Sequence, residues 1–351
     1  MKIGIVGSGM ISGHHLSAIA RYPGAEVVGI VDRDIARARE QAARFKVPHV
    51  YDALPQLLAA KPDIVHVLTP PDSHASLVIE ALEAGAHVYV EKPMAITQGD
   101  CDAMVRAATR AERQLCVGHC YNYIPVIAQA QDLIASGKAG EIVQVAASFN
   151  YDIGRNPTFG PGHWSSQLPG GLTEDLAVHL VSVLIRLLGA PKKTLAISRS
   201  TERVPGAKAE DVRAIIEAER GLGTFSVSLR ARPDMILLDI WCTRMLLRLN
   251  VSCMSLTMYR QLPVSQKIGR GLANLDVAAQ LVTGTVAATW KLLRKKLDGS
   301  YGIVPCIHAF YDAIAAGRPS PIDPREGVAA VAVLRSIWPA PDAAARMVSA
   351  R

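Results

Sequence analysis

Five short apolar, β-branched runs, alternating with helical stretches over the first 120 residues, constrain this 351-residue chain more than any other feature. The runs are KIGIV (2–6), EVVGIV (26–31), DIVHVL (63–68), AHVYV (86–90) and QLCVG (114–118); helical patterns lie near 9–21, 34–45, 53–60, 73–84 and 98–112. Strands apolar on both faces and separated by helices specify a parallel sheet covered on both sides, a doubly wound α/β domain. Asp72 and Thr97 read as helix N-caps, and Thr97 is followed by Asp100 in a capping-box-like pair.

The pattern changes after about Tyr123. A helix near 125–136 and a longer strand, 141–152, lead into a Gly/Pro-rich loop to Gly171 and a helix over about 172–188. Five strand-like runs then follow with short turns, from KTLAISRS to MLLRLNV, which predicts an open, mainly antiparallel sheet in an α+β domain. A chain of this length exceeds one ordinary core. The reading is therefore two domains, 1–122 and 123–351, with closing helices near 303–316 and 325–338 and an odd helical segment at 264–297 that is apolar in the middle and basic at its end.

Composition narrows the function classes. Half the residues are hydrophobic, the formal charge is +7 and the pI is near 9.1, which favours anionic ligands. No basic stripe interleaved with aromatics marks a nucleic-acid binder. Residues 277–290 are too short and polar a stretch to span a bilayer, and no secretory signal is visible. Six scattered cysteines show no paired metal spacing, so no metal site is expected, and reduced thiols in a cytoplasmic protein are.

Three motifs carry chemistry. The first is IVGSGMIS, where Gly7 permits a tight strand-to-helix turn and Gly9 lets a pyrophosphate approach the helix start at Met10 and Ile11. Asp32, 23 residues after Gly9 at the end of the second strand, is placed to accept hydrogen bonds from a ribose. Together they indicate a Rossmann dinucleotide site. A carboxylate favours NAD; Arg33 beside it keeps NADP open, since a guanidinium accepts a 2′-phosphate. Ser12 stands where the usual pattern has a third glycine. The second motif puts Thr69 and Glu91 at strand ends on the ligand-binding edge, with Lys92 before Pro93, one of the few bonds open to the cis form. The third is PGGLTEDLAVH, in which Asp175 and His179, four apart, share one helix face so that the carboxylate can orient the imidazole. Leu172, Leu176, Leu180 and Leu184 form the neighbouring apolar stripe.

These motifs, with Pro70 to His74, Glu-Lys-Pro at 91–93, Gly-Gly-x₃-Asp-x₃-His at 170–179 and the closing helix, resemble the glucose–fructose oxidoreductase/inositol dehydrogenase (Gfo/Idh/MocA) family over almost the whole chain. The resemblance implies cofactor contacts from Thr69, Pro70, His74, Glu91 and Lys92, and catalytic roles for Lys92, Asp175 and His179. His179 would take a proton from a secondary alcohol while Lys92 polarises the forming carbonyl and hydride passes to the nicotinamide. Residues expected to meet a sugar, cyclitol or nucleotide-sugar substrate are His119, Asn122, Tyr123, Arg155, His163 and Trp164, and the basic balance tilts the substrate towards an anion. Two other readings fit the same residues: a non-catalytic dinucleotide-binding regulator, and an enzyme using bound NAD transiently for epimerisation or glycoside cleavage. Residues 252–300 are longer and more basic than the family's usual crossover, and segment 264–297 within them is expected to be a homo-oligomer contact or an amphipathic membrane-surface helix.

Overall fold

The computed structural model describes residues 1–153, 162–204, 207–261, 264–293 and 302–340. In chain order, β1 (Lys2–Val6), α1 (Met10–Ile19), β2 (Glu26–Val31), α2 (Ile35–Phe45), β3 (Val50–Tyr51), α3 (Leu54–Ala59), β4 (Ile64–Val67), α4 (His74–Glu83), β5 (His87–Val90), α5 (Gln98–Ala111) and β6 (Leu115–Val117) come first. Then follow α6 (Pro125–Ala135), β7 (Ile142–Asn150), α7 (Gly171–Leu188), β8 (Pro191–Arg199), β9 (Asp211–Ala218), β10 (Gly221–Ser228), β11 (Met235–Cys242), β12 (Met245–Asn250), β13 (Ser255–Arg260) and α8 (Gln266–Leu293). The helices α9 (Ile303–Ala315) and α10 (Pro324–Ile337) close the chain. Contacts gather these elements into two compact units. One is Met1–Cys120 with Gly302–Ala332; the other runs from Tyr121 and takes in the residues after Ala332.

The first unit is built on a parallel sheet of order β3-β2-β1-β4-β5-β6. The order reverses at β1/β4, the point at which open α/β sheets bind ligands. Its central strands are buried along their length, as apolar runs without alternation require. The two-residue β3 adds an edge strand that no periodicity announces. Thr97 caps α5, accepting from the Asp100 N–H at 3.1 Å while its hydroxyl donates to the Asp100 carboxylate at 2.6 Å. At α4 the N-cap is Ser73 rather than Asp72, and the Ser73 hydroxyl turns back to donate to Thr69 Oγ1 at 2.7 Å. Helix α9 joins this unit through Tyr311, which reaches His66 on β4.

The second unit has a seven-stranded mixed sheet, β13-β12-β11-β7-β10-β9-β8, in which β7 and β10 run parallel and the other neighbours antiparallel. Helix α7 covers one face, and its stripe leucines Leu172, Leu176, Leu180 and Leu184 are buried, each contributing roughly 1.5–3 kcal/mol of apolar transfer. Burial alternates along β9, so the opposite face is open, with Leu195, Ile197, Ile215 and Leu222 exposed on it. No described helix is long and apolar enough to cross a membrane.

Candidate active site

The dinucleotide turn follows from β1 ending in Gly7-Ser8-Gly9. Gly7 takes φ +100°, and a Cβ there would lie 2.9 Å from the Leu68 backbone, so both conformation and space demand glycine. Gly9 differs. It has ordinary φ and a Cβ on it would meet nothing within 4 Å, so its bareness leaves open space before α1. That helix has no side-chain cap and no acidic residue in its first turn, so its N–H groups and dipole face that space uncompensated. A pyrophosphate fits such a cradle. Ser12 is fully buried, and its hydroxyl donates to the Gly9 carbonyl at 2.7 Å. The serine in place of glycine thus adds a buried hydroxyl that is hydrogen-bonded.

Asp32, just after β2, accepts from the Ser8 N–H (2.6 Å), the Ser8 hydroxyl (2.7 Å) and the Asp34 N–H (2.8 Å). Arg37, in the first turn of α2, adds its guanidinium at 3.0 Å. Burial pushes the carboxyl up, but these donors outweigh it and hold Asp32 below the usual carboxylate range. Arg33, the residue expected to meet a 2′-phosphate, is exposed beside this carboxylate, and Arg37 is the base paired with it.

Thr69 and Pro70 follow β4, and their loop is pinned by His74. This ring is wholly buried, with Nε2 2.7 Å from the Thr69 carbonyl and Nδ1 3.1 Å from that of Met94. Burial lowers its pKa against the pull of those carbonyls. His74 therefore shapes the loop from behind.

At the end of β5, Glu91 accepts from the Lys92 N–H at 3.2 Å, and the Lys92–Pro93 bond is cis. Behind Glu91 lies a buried row that sequence reasoning missed. His15 Nε2 donates to Glu91 at 3.0 Å, the Nδ1 atoms of His15 and His66 lie 2.8 Å apart, and Tyr311 meets His66 Nε2 at 2.7 Å. These contacts make one continuous buried row from Tyr311 through His66 and His15 to the Glu91 carboxylate. Burial, with His15 beside it, holds His66 well below its ordinary pKa. Burial also pushes Glu91 up, yet His15 and Lys92 bring it below its usual range. Cys120, nearby, is pushed up to about 12, first by burial and then by Glu91, so it is no thiolate nucleophile. His119 is buried at the end of the same unit.

In the second unit, the Gly-Gly pair opens α7: Gly171 has φ +63°, and Gly170 leaves the space filled by the Trp338 indole. Glu174 accepts from the Gly170 N–H at 2.7 Å and pairs with Arg335; burial raises it despite that arginine. One turn on, Asp175 is buried and His179 half-buried on one face of α7. Tyr121 lies flat on the His179 ring, centroids 4.0 Å apart. Asn122 is buried, with Gln131 donating to it at 3.5 Å, and Tyr123 is half-buried. His163 caps a short 3-10 turn, Trp164–Gln167, accepting from the Ser165 N–H at 3.3 Å, and stands 5.4 Å from the Trp164 ring. Arg155 lies outside the described residues. Among the described residues no group of three His, Cys, Asp or Glu side chains is placed to hold a metal.

Comparison with known proteins identifies the two domains. Residues 1–119 match the profile of an oxidoreductase family with an NAD-binding Rossmann fold, and residues 127–248 match the GFO/IDH/MocA C-terminal domain. D-apiose dehydrogenase of Paraburkholderia graminis is 32% identical over 219 residues, 61% of this chain and 56% of that protein. Inositol 2-dehydrogenase of Salmonella typhimurium is 28% identical over 201 residues, 56% of this chain and 57% of that protein. The matched stretch thus spans a little over half of each of these relatives. Levoglucosan dehydrogenase, solved with NADH and levoglucosan, superposes with a TM-score of 0.79 at 21% identity over 96% of both chains, a likeness of fold. With both domain profiles matched in their proper order, the chain belongs to the GFO/IDH/MocA family of NAD-binding oxidoreductases.

Proposed function

We propose that this chain is an NAD-dependent dehydrogenase acting on a secondary alcohol of a sugar, cyclitol or nucleotide sugar. The observation that carries the reading is the uncapped start of α1, open at Gly9 and flanked by the Asp32 carboxylate. Gly7, Gly9, Met10 and Ile11 would hold the pyrophosphate, Asp32 the adenosine ribose, and Thr69, Pro70, Glu91 and Lys92 the nicotinamide half. Bound nicotinamide supplies the hydride acceptor. His179 takes the hydroxyl proton, with Tyr121 steadying its ring and Asp175 one turn away favouring the imidazolium. The Lys92 ammonium stabilises negative charge on the carbinol oxygen as the carbonyl forms. The two relatives described above are named for a sugar and a cyclitol, which supports this substrate class.

The test is a panel of neutral sugars, cyclitols, sugar phosphates and nucleotide sugars incubated with NAD, reading reduced nicotinamide. Oxidation of at least one member with equimolar NADH is expected, with anionic members ahead of their neutral parents as the +7 charge suggests. Conversion without net NADH would move the reading to transient redox chemistry, and NAD binding with no turnover to a regulator.

We also propose a homo-oligomer closed by the open face of the second unit's sheet. Its apolar residues Leu195, Ile197, Ile215 and Leu222 are exposed, and opposite charges lie across neighbouring strands on it: Lys193 opposite Glu217, and Arg248 on Asp239 at 2.7 Å. Such a face is complementary to itself. Sedimentation velocity should show Ile197→Glu with Ile215→Glu at lower mass than wild type; equal masses would remove the proposal.

A further inference from the structure

Helix α8 turns its hydrophobic side away from the unit it belongs to. Ile268, Leu272, Leu275, Val282, Val286 and Trp290 recur at spacings of three, four or seven, which aligns them on one face. Each leaves between 41% and 66% of its surface exposed, the reverse of an ordinary amphipathic helix on a globular domain. Polar side chains off this stripe fix the helix to the edge strand β13. Gln280 accepts from the Met258 N–H at 2.7 Å and donates to the Met258 carbonyl at 3.0 Å, occupying edge-strand groups that water would otherwise fill. Asp276 accepts from Gln280 at 3.0 Å and pairs with Arg260 at 3.5 Å. Rolling the stripe inward would break all of these bonds, so the exposed face is held outward.

Charge decides what can cover it. Asp276 is the sole acid between 264 and 293 and is engaged with β13, whereas Lys267, Arg270 and Lys291 lie towards the two ends of the helix. Two copies of α8 meeting stripe to stripe would bring basic ends together in either direction. An anionic bilayer complements both ends at once. Tryptophan is favoured at the headgroup level, and 28 residues reach ~42 Å, enough to lie along a surface. No described helix suits a spanning role. We infer that α8 docks the protein on an anionic lipid surface, lying in the interface plane with its stripe among the upper acyl chains. This is independent of the cofactor site.

The test is co-sedimentation of the full chain with phosphatidylcholine vesicles, with and without about a quarter phosphatidylglycerol. Binding to the anionic vesicles should exceed binding to neutral ones about tenfold, and should fall about tenfold in Val282→Asp with Val286→Asp. Lys267→Glu with Arg270→Glu should weaken it similarly, with melting temperature and NAD affinity unchanged in both variants. Equal pelleting on both vesicles, or double variants that bind like wild type, would overturn the inference. So would a lipid-free drop in assembly mass for Val282→Asp with Val286→Asp, since α8 would then be a protein contact.

Discussion

Tyr121 stacks on His179 with ring centroids 4.0 Å apart and planes 19° from parallel. A flat aromatic contact fixes the tilt of an imidazole while leaving its ring nitrogens at the edge for proton transfer. Such a pair is worth roughly 0.5–1.5 kcal/mol beyond its buried area, and misplacing a proton acceptor by about 1 Å costs on the order of a hundredfold in rate. Tyr121→Leu should therefore lower kcat by roughly ten- to a hundredfold with NAD affinity unchanged, while Tyr121→Phe keeps most activity. Steady-state kinetics of the two variants check this; equal loss in both would assign the role to the hydroxyl.

Lys92→Met and His179→Gln should each reduce turnover by roughly a hundred- to ten-thousandfold, the usual worth of a positioned acid–base group. Both should retain substantial NAD affinity. A variant of either residue with wild-type kcat would remove that residue from the chemistry.

The two glycines of the turn separate folding from binding. Gly9→Ala introduces a methyl into open space at an ordinary φ, so melting temperature should hold while NAD affinity falls at least about tenfold. Gly7→Ala, at φ +100° and against the Leu68 backbone, should lower stability by roughly 1–3 kcal/mol. Thermal melts and calorimetry on the pair read both effects.

Acid should weaken the second unit through Glu210. Burial pushes this carboxyl up, but hydrogen bonds from Thr201 and from the Arg203 (2.6 Å) and Val204 (2.7 Å) N–H groups draw it down to about 2. A folded pKa below the unfolded one adds stability that is full above about pH 4.5 and lost as pH falls towards 2. Urea melts should find Glu210→Gln destabilised at pH 7, with the difference from wild type shrinking below about pH 4.5. A difference constant with pH would show that the loss is one of shape rather than charge.

Much of the fold was legible because it repeats a local rule. Apolar runs such as IVHV at 64–67, each followed by a helical period, specify a covered parallel sheet wherever they occur, and the capping box at Thr97 is settled within four residues. The turn at Gly7–Gly9 and the acid at Asp32 were legible for the same reason. Contacts across long separations were not. Arg37 reaches Asp32 because α2 begins where it does, a contact that five residues of separation in sequence do not announce. Tyr311 joins His66 from 245 residues away, and nothing in the HH at 14–15 distinguishes a buried relay from a surface pair. Tyr121 sat inside a stretch read for its polar neighbours, yet its ring is what meets His179. The orientation of α8 depends on Gln280 finding an edge strand, which the helical period of 266–293 leaves open.

The central claim is that the turn at Gly7–Gly9 with Asp32 binds NAD for hydride transfer. The most direct measurement is calorimetry of NAD and NADP on wild type and Asp32→Ala. NAD should bind more tightly than NADP, and the substitution should weaken NAD by roughly tenfold to a hundredfold, the worth of a hydrogen bond to a charged group. Absence of binding by either dinucleotide, or NAD affinity indifferent to Asp32→Ala, would contradict the account.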